Sequence, residues 1–149
     1  MTQGLRGIEA PDVVVRGTGG ALAQTVDIGP HRIYSDEPTT SGGTATGPTP
    51  YELLLAALGS CTSMTLGLYA RRKGWPLGTI EVRLRHARIY AADCERCETK
   101  DGYIDRVERD IAVTGALSEE QRARLLEIAD RCPVHRTLEG RVEVRTRIR

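Results

Sequence analysis

The stretch from Thr49 to Gly74, TPYELLLAALGSCTSMTLGLYARRKG, limits the folds open to this chain more than any other. It reads as one long, mostly apolar helix. Thr49 is a natural N-cap, Pro50 suits the first helical position, and Glu52 completes a Thr-x-x-Glu capping box. At the far end Arg71, Arg72 and Lys73 favour the negative pole of the helix dipole. Gly74 takes a left-handed cap and Pro76 forbids continuation. Leu54, Ala57, Leu58, Cys61, Met64, Thr65 and Leu68 recur at spacings of three and four, so Cys61 lies on an apolar stripe. Leu53, Leu55 and Leu66 widen that stripe almost all round, the pattern of a helix buried on most sides. A cysteine there is either a small core residue or a nucleophile held in a dry pocket.

Short strands precede this helix. Val13 to Arg16 and Ala21 to Ile28 read as two strands joined by a turn at Gly17-Thr18-Gly19-Gly20, and His31 to Tyr34 as a third. Ser35 to Pro48 is a loop rich in Gly, Thr, Ser and Pro, long enough for a mobile or functional role. After the helix, Thr79 to Tyr90 alternates, with Ile80, Val82 and Leu84 on one face and Glu81, Arg83 and Arg85 on the other. Ala91 to Gly102 is a polar connection carrying Cys94 and Cys97, and Tyr103 to Thr114 returns as the other arm of a hairpin. Ser118 and Gln121 form a second capping box, opening a helix with Leu125, Leu126, Ile128 and Ala129 inward. It ends near Cys132-Pro133, where Pro133 starts a short turn through Leu138. Val142, Val144, Thr146 and Ile148 alternate as a last strand. The expected order is βββ-α-ββ-α-β, an α+β fold of roughly six strands and two main helices, with residues 1–149 as a single domain.

A length of 149 residues suits one core. With 21 Lys plus Arg against 20 Asp plus Glu, no bulk charge argues for nucleic acid or a membrane surface. No basic run is interleaved with aromatics, and no run reaches the ~18 consecutive apolar residues of a membrane span. The N-terminal MTQGLRGIEAPD lacks the apolar segment of a secretory signal, so a cytoplasmic location is expected. Phe is absent and aromatics total 4%, so Leu, Val, Ile and Ala must build the core. Such a core is often completed across a subunit interface.

Four cysteines in that compartment read as thiols, catalytic disulfides or metal ligands. Cys61 sits in an apolar helix, and Cys132 directly precedes a proline-opened turn whose N–H groups favour a thiolate. Each lies on one of the two main helices, which must share a core. They are either packing residues or a redox pair. Cys94-x-x-Cys97 supplies two of the four ligands a structural zinc needs, so it is only a weak metal candidate, even with His86 or a second copy assisting. A reversible disulfide or two loop thiols are the other readings. His135 could polarise Cys132 or be a satisfied polar group; His31 and His86 read as strand residues facing solvent.

Two motifs carry a family resemblance. Pro-x-Glu-Leu-Leu-Leu-Ala-Ala-Leu-Gly-Ser-Cys at Pro50 to Cys61, with Cys-Pro-Val-His at Cys132 to His135, resembles the OsmC/Ohr family of thiol-dependent hydroperoxide reductases. The likeness runs from about Val14 to Ile148. Cys94-x-x-Cys97 and the DRCPVHRTLEG segment place it near the OsmC-like branch. It implies an intertwined homodimer with central helices, sheets outside and active sites at the interface. It implies that Cys61 attacks an organic hydroperoxide and becomes a sulfenic acid, and that Cys132 condenses with it to a disulfide. A dithiol, from a lipoyl protein or a thioredoxin-like one, restores both. No bound cofactor is implied, because the electrons pass through sulfur.

The family also activates its cysteine with an N-terminal arginine and a glutamate at the start of the long helix. Arg16 is the first choice here and Arg32 the second. The glutamate position falls on Tyr51, with Glu52 one residue later and about 100° further round the helix. The competing expectation is a non-catalytic dimer of the same fold, a redox sensor or a small-molecule or metal-binding module.

Overall fold

A computed structural model describes residues 12–149. The N-terminal segment read above as lacking a secretory signal lies, for residues 1–11, outside the described residues. The chain divides into two compact units, Met1–Leu53 and Leu54–Arg149.

The first unit holds a three-stranded antiparallel meander of β1 (Val13–Arg16), β2 (Gln24–Ile28) and β3 (His31–Ser35). Its register pairs Val15 with Val26 and Val26 with Ile33. β2 starts at Gln24, later than the expected Ala21, because Ala21 still closes the turn on the Thr18 carbonyl at 3.4 Å and the chain bends again at Leu22. The Ser35–Pro48 segment, expected as a loose loop, is organised around one carboxylate. Asp36 is 2% exposed. It accepts the N–H groups of Glu37, Thr44 and Thr46 at 2.8, 3.1 and 3.1 Å and the hydroxyls of Thr44 and Thr46 at 2.6 and 2.8 Å. These donors, led by the Thr44 hydroxyl, outweigh burial and hold the Asp36 carboxyl well below the usual range. The run of small residues is needed for this wrap. A Cβ on Gly43 would sit 1.9 Å from the Glu37 carbonyl oxygen.

The helix α1 (Pro50–Lys73) starts where its sequence dictates: Glu52 N–H donates to Thr49 Oγ1 at 3.2 Å, and the Glu52 carboxylate accepts Thr49 N–H at 2.8 Å. It ends at Gly74 with φ of 67°. By length and mean hydropathy, 1.5, it could cross a membrane.

In the second unit α1 packs against the hairpin of β4 (Ile80–Tyr90) and β5 (Tyr103–Val113), and against α2 (Glu119–Ala129). The hairpin runs in unbroken antiparallel register from Ile80 opposite Val113 to Tyr90 opposite Tyr103. A short helix, α3 (Pro133–Glu139), replaces the simple turn expected after Pro133. Leu66, Leu125, Ile128 and Ala129 form the core, with Trp75, Ile111 and Val113 against it.

Two expectations are corrected. The buried line of α1 is Leu58, Gly59, Thr62, Leu66 and Ala70, not the stripe through Leu54, Met64 and Leu68. Met64 is 67% exposed and Leu68 49%. A helix apolar nearly all round gives periodicity no basis for choosing a face. Gly59 helps decide it, because a Cβ there would meet Leu84 Cδ1 at 2.7 Å. The final strand is also absent: residues 141–149 form no strand or helix, with Val144 81% and Ile148 99% exposed. Alternation alone makes no strand when no neighbour accepts its backbone hydrogen bonds.

Two stability predictions follow from these contacts. Leu66→Ala removes a fully buried side chain and lowers the unfolding free energy in urea by about 2–5 kcal/mol. Because the Asp36 carboxyl is depressed only when folded, its contribution is complete above its unfolded pKa near 3.8 and is lost as pH falls below that. Thermal melts from pH 7 downward show this loss, and Asp36→Asn flattens the slope while lowering Tm at neutral pH.

Candidate active site

The two thiols expected to form a pair influence each other's titration. Cys61 is partly exposed on α1, and Cys132, the N-cap of α3, has no exposed surface. They are near enough for each to shift the other. Cys132 accepts the His135 N–H at 3.4 Å, and the Thr62 hydroxyl and Val134 N–H lie close enough to lower its thiol. The Val134 N–H and the Thr65 hydroxyl act in the same sense on Cys61.

The surroundings shift the two thiols in opposite directions. Burial, and then the neighbouring Cys132, push the Cys61 thiol up. Burial also acts to raise Cys132, but hydrogen bonding from Cys61, His135, Thr62 and Val134 outweighs it and brings that thiol down. The buried sulfur is thus the one more readily ionised, and the partly exposed one holds its proton more tightly.

A cation supports this pair through a hydroxyl. Arg109 on β5, with its side chain 12% exposed, donates to Thr62 Oγ1 at 3.0 Å and to Asp130 Oδ1 at 2.8 Å. Thr62 is fully buried, its hydroxyl donates to the Leu58 carbonyl at 2.7 Å, and it also lowers the Cys132 thiol. The Arg109 guanidinium polarises that hydroxyl toward its acceptors. Sequence reading missed both residues. The signal was present: Val107, Arg109, Ile111 and Val113 share the inward face of β5, and Arg109 alone is charged.

His135 is held by acidic neighbours, with Nε2 3.1 Å from Glu139 and Nδ1 3.8 Å from Asp130. A cavity of about 390 Å³ lies beside this group, walled by Leu58, Val107, Arg109, Asp130, His135 and Leu138. Neither sulfur is among its lining residues.

The other expected site residues have different partners. Glu52 closes the N-terminal cap of α1, with its carboxylate on Thr49. Arg16 is bound to Asp27 at 2.7 Å, and Arg32 holds the other oxygen of the same carboxylate at 2.6 Å. A role for Arg16 or Glu52 in activation requires each to leave these partners. Cys94 and Cys97 are joined to each other as a disulfide. Neither sulfur is then a thiolate ligand, and among the described residues no group of three or more His, Cys, Asp or Glu could hold a metal ion.

A family model described as OsmC-like protein matches residues 42–147, which include both Cys61 and Cys132. The chain belongs to the OsmC/Ohr family. Its fold agrees with solved OsmC-like structures. One, an OsmC-like protein of Mycoplasma pneumoniae, is 21% identical with a TM-score of 0.69 and covers 87% of each chain. An organic hydroperoxide resistance protein OsmC of Legionella pneumophila is 17% identical with a TM-score of 0.62, covering 87% of this chain and 90% of its own. The organic hydroperoxide resistance protein OhrB of Bacillus subtilis is 19% identical with a TM-score of 0.59 and the same coverage. Among curated proteins none matches the chain.

The opposite shifts of the two thiols in this OsmC-like site are open to measurement. Removing the Cys61 donor in Cys61→Ala shifts the Cys132 thiolate absorbance to higher pH. Cys132→Ser removes the group that raises Cys61 and shifts maleimide labelling of Cys61 to lower pH.

Proposed function

We infer that this protein reduces organic hydroperoxides with its own thiols, as a single OsmC-like domain spanning residues 1–149. The observation that carries the reading is the proximity of Cys61 and Cys132, one partly open with its thiol pushed up and one buried with its thiol brought down. Three solved relatives bear OsmC or organic hydroperoxide resistance names, which favours the same substrate class.

The chemistry balances on this pair. Cys61 passes its proton to the Cys132 thiolate and attacks the terminal peroxide oxygen. The O–O bond breaks, Cys61 becomes a sulfenic acid, and the leaving alkoxide takes a proton from Cys132 to form the alcohol. Cys132, again a thiolate, attacks the Cys61 sulfur, forming the disulfide and releasing hydroxide. A dithiol, free or on a lipoyl or thioredoxin-like protein, returns two electrons and restores both thiols. Arg109, acting through Thr62, keeps Cys132 poised as the thiolate.

A second copy completes the molecule in this reading. Met64, Leu68, Leu126, Val142, Val144 and Ile148 are all more than a third exposed, a load of apolar surface that a monomer rarely carries in one unit. The 141–149 segment, which pairs with no strand of its own chain, alternates as a strand that a second copy could pair. A homodimer in the cytoplasm covers both, and sedimentation gives twice the 16.3 kDa chain mass.

The decisive assay follows cumene hydroperoxide consumption with a dithiol present. Cys61→Ser loses turnover, and Cys132→Ser leaves a sulfenic acid that dimedone captures. Arg109→Met slows turnover by roughly 10–100-fold, because hydrogen bonds to charged groups are worth ~1.5–3 kcal/mol, and Arg109→Lys recovers part of it. Equal consumption by wild type, Cys61→Ser and Cys132→Ser removes the enzyme reading.

A further inference from the structure

The chain carries two cysteine pairs in opposite states. Cys61 and Cys132 are free, whereas Cys94 and Cys97 form a disulfide. Their settings differ as their states do. Cys132 stands at the start of a helix, with N–H groups and a hydroxyl aimed at its sulfur. Cys94 stands at the end of a short helical turn, Ala91–Asp93, the pole that disfavours an anion. The exposed charges nearby are Asp93, Glu95, Glu98 and Asp101 against Arg96 and Lys100. Lys100 directs its ammonium to the Cys94 carbonyl oxygen rather than to sulfur. This field disfavours a thiolate at the tip and so favours the oxidised pair at rest.

The disulfide has little to do as a staple. Its cysteines are three apart in sequence, so it closes a very small loop. The tip is already tied by the backbone, with Ala91 N–H on the Gly102 carbonyl at 2.8 Å and Cys94 N–H on the Ala91 carbonyl at 3.1 Å. Below it, Tyr90 and Tyr103 stack at 4.7 Å across the hairpin. Nor does the disulfide exchange with the inner pair of its own chain. Leu84 and Arg109 face each other at the level of α1 that carries Gly59 and Thr62. From there to Tyr90 the strand alone adds about 20 Å at ~3.3 Å per residue, and the disulfide lies beyond.

We propose that Cys94–Cys97 is a second thiol–disulfide exchange site, which accepts two electrons from an external dithiol independently of the Cys61–Cys132 pair. One thiolate of the dithiol bonds to a tip sulfur and breaks the Cys94–Cys97 bond. The departing tip sulfur takes up a proton. The second thiol of the dithiol then displaces the tip sulfur that holds the first, leaving two cysteine thiols and a cyclic or protein disulfide. Reverse exchange with a disulfide of the same class restores the bond.

Maleimide labelling followed by mass spectrometry tests this without reference to peroxide turnover. The Cys61→Ser/Cys132→Ser chain takes no label as purified under native conditions. After dithiothreitol in the same buffer it takes about two labels per chain. Its melting temperature falls by no more than about 8 °C on reduction, the limit that a loop this short sets. Peptide mapping of the wild type gives the same result at Cys94 and Cys97, and covers the case in which the double variant folds poorly. In Cys94→Ser/Cys97→Ser the labelling rate of the inner pair stays within about twofold of wild type, as separate sites require. Label before reduction, label only after denaturant, a larger fall in melting temperature, or a changed inner-pair rate would each overturn the proposal.

Discussion

A single hydroxyl, that of Thr62, touches three elements of the second unit at once. It sits on the buried line of α1, receives the Arg109 guanidinium from β5 and reaches the Cys132 sulfur ahead of α3. This arrangement depends on the helix lying close to the hairpin, which the bare Gly59 allows. If that approach were lost, Arg109 would lose its Thr62 acceptor and Cys132 would be a buried thiol with fewer donors. Packing and electrostatics therefore rest on the same contact. Leu58 and Leu66 are buried on the same line of α1 as Thr62.

The electrostatics set the two sulfurs apart: burial and Cys132 raise the partly exposed Cys61 thiol, while nearby donors lower the buried Cys132 thiol. In the proposed peroxidase cycle the more readily ionised sulfur serves as base to the other and then traps its sulfenic acid before over-oxidation. The outer disulfide sits in a field of opposite character, and this is why two cysteine pairs in one chain need not share a function.

Much of this was legible in the sequence, and the exceptions have physical causes. Local signals were read correctly where a few neighbouring residues settle the matter: the Thr49–Glu52 and Ser118–Gln121 boxes, the alternation of β4, the stop at Gly74. The nearness of Cys61 and Cys132 was legible only through the family motif, since no spacing encodes a long-range contact. The buried face of α1 was not legible, because an all-round apolar helix has no preferred side. Arg109 was overlooked in a hairpin where arginines are frequent on the solvent face. Only its place in the inward register marks it out. The 141–149 segment has the alternation of a strand, but strand formation needs a partner that one chain does not supply.

The most direct test of the central claim is peptide mapping of the reduced protein after one equivalent of organic hydroperoxide. The account predicts a cross-linked fragment joining Cys61 to Cys132. Recovery of both residues as free thiols, or of Cys61 joined to any other cysteine, would contradict it.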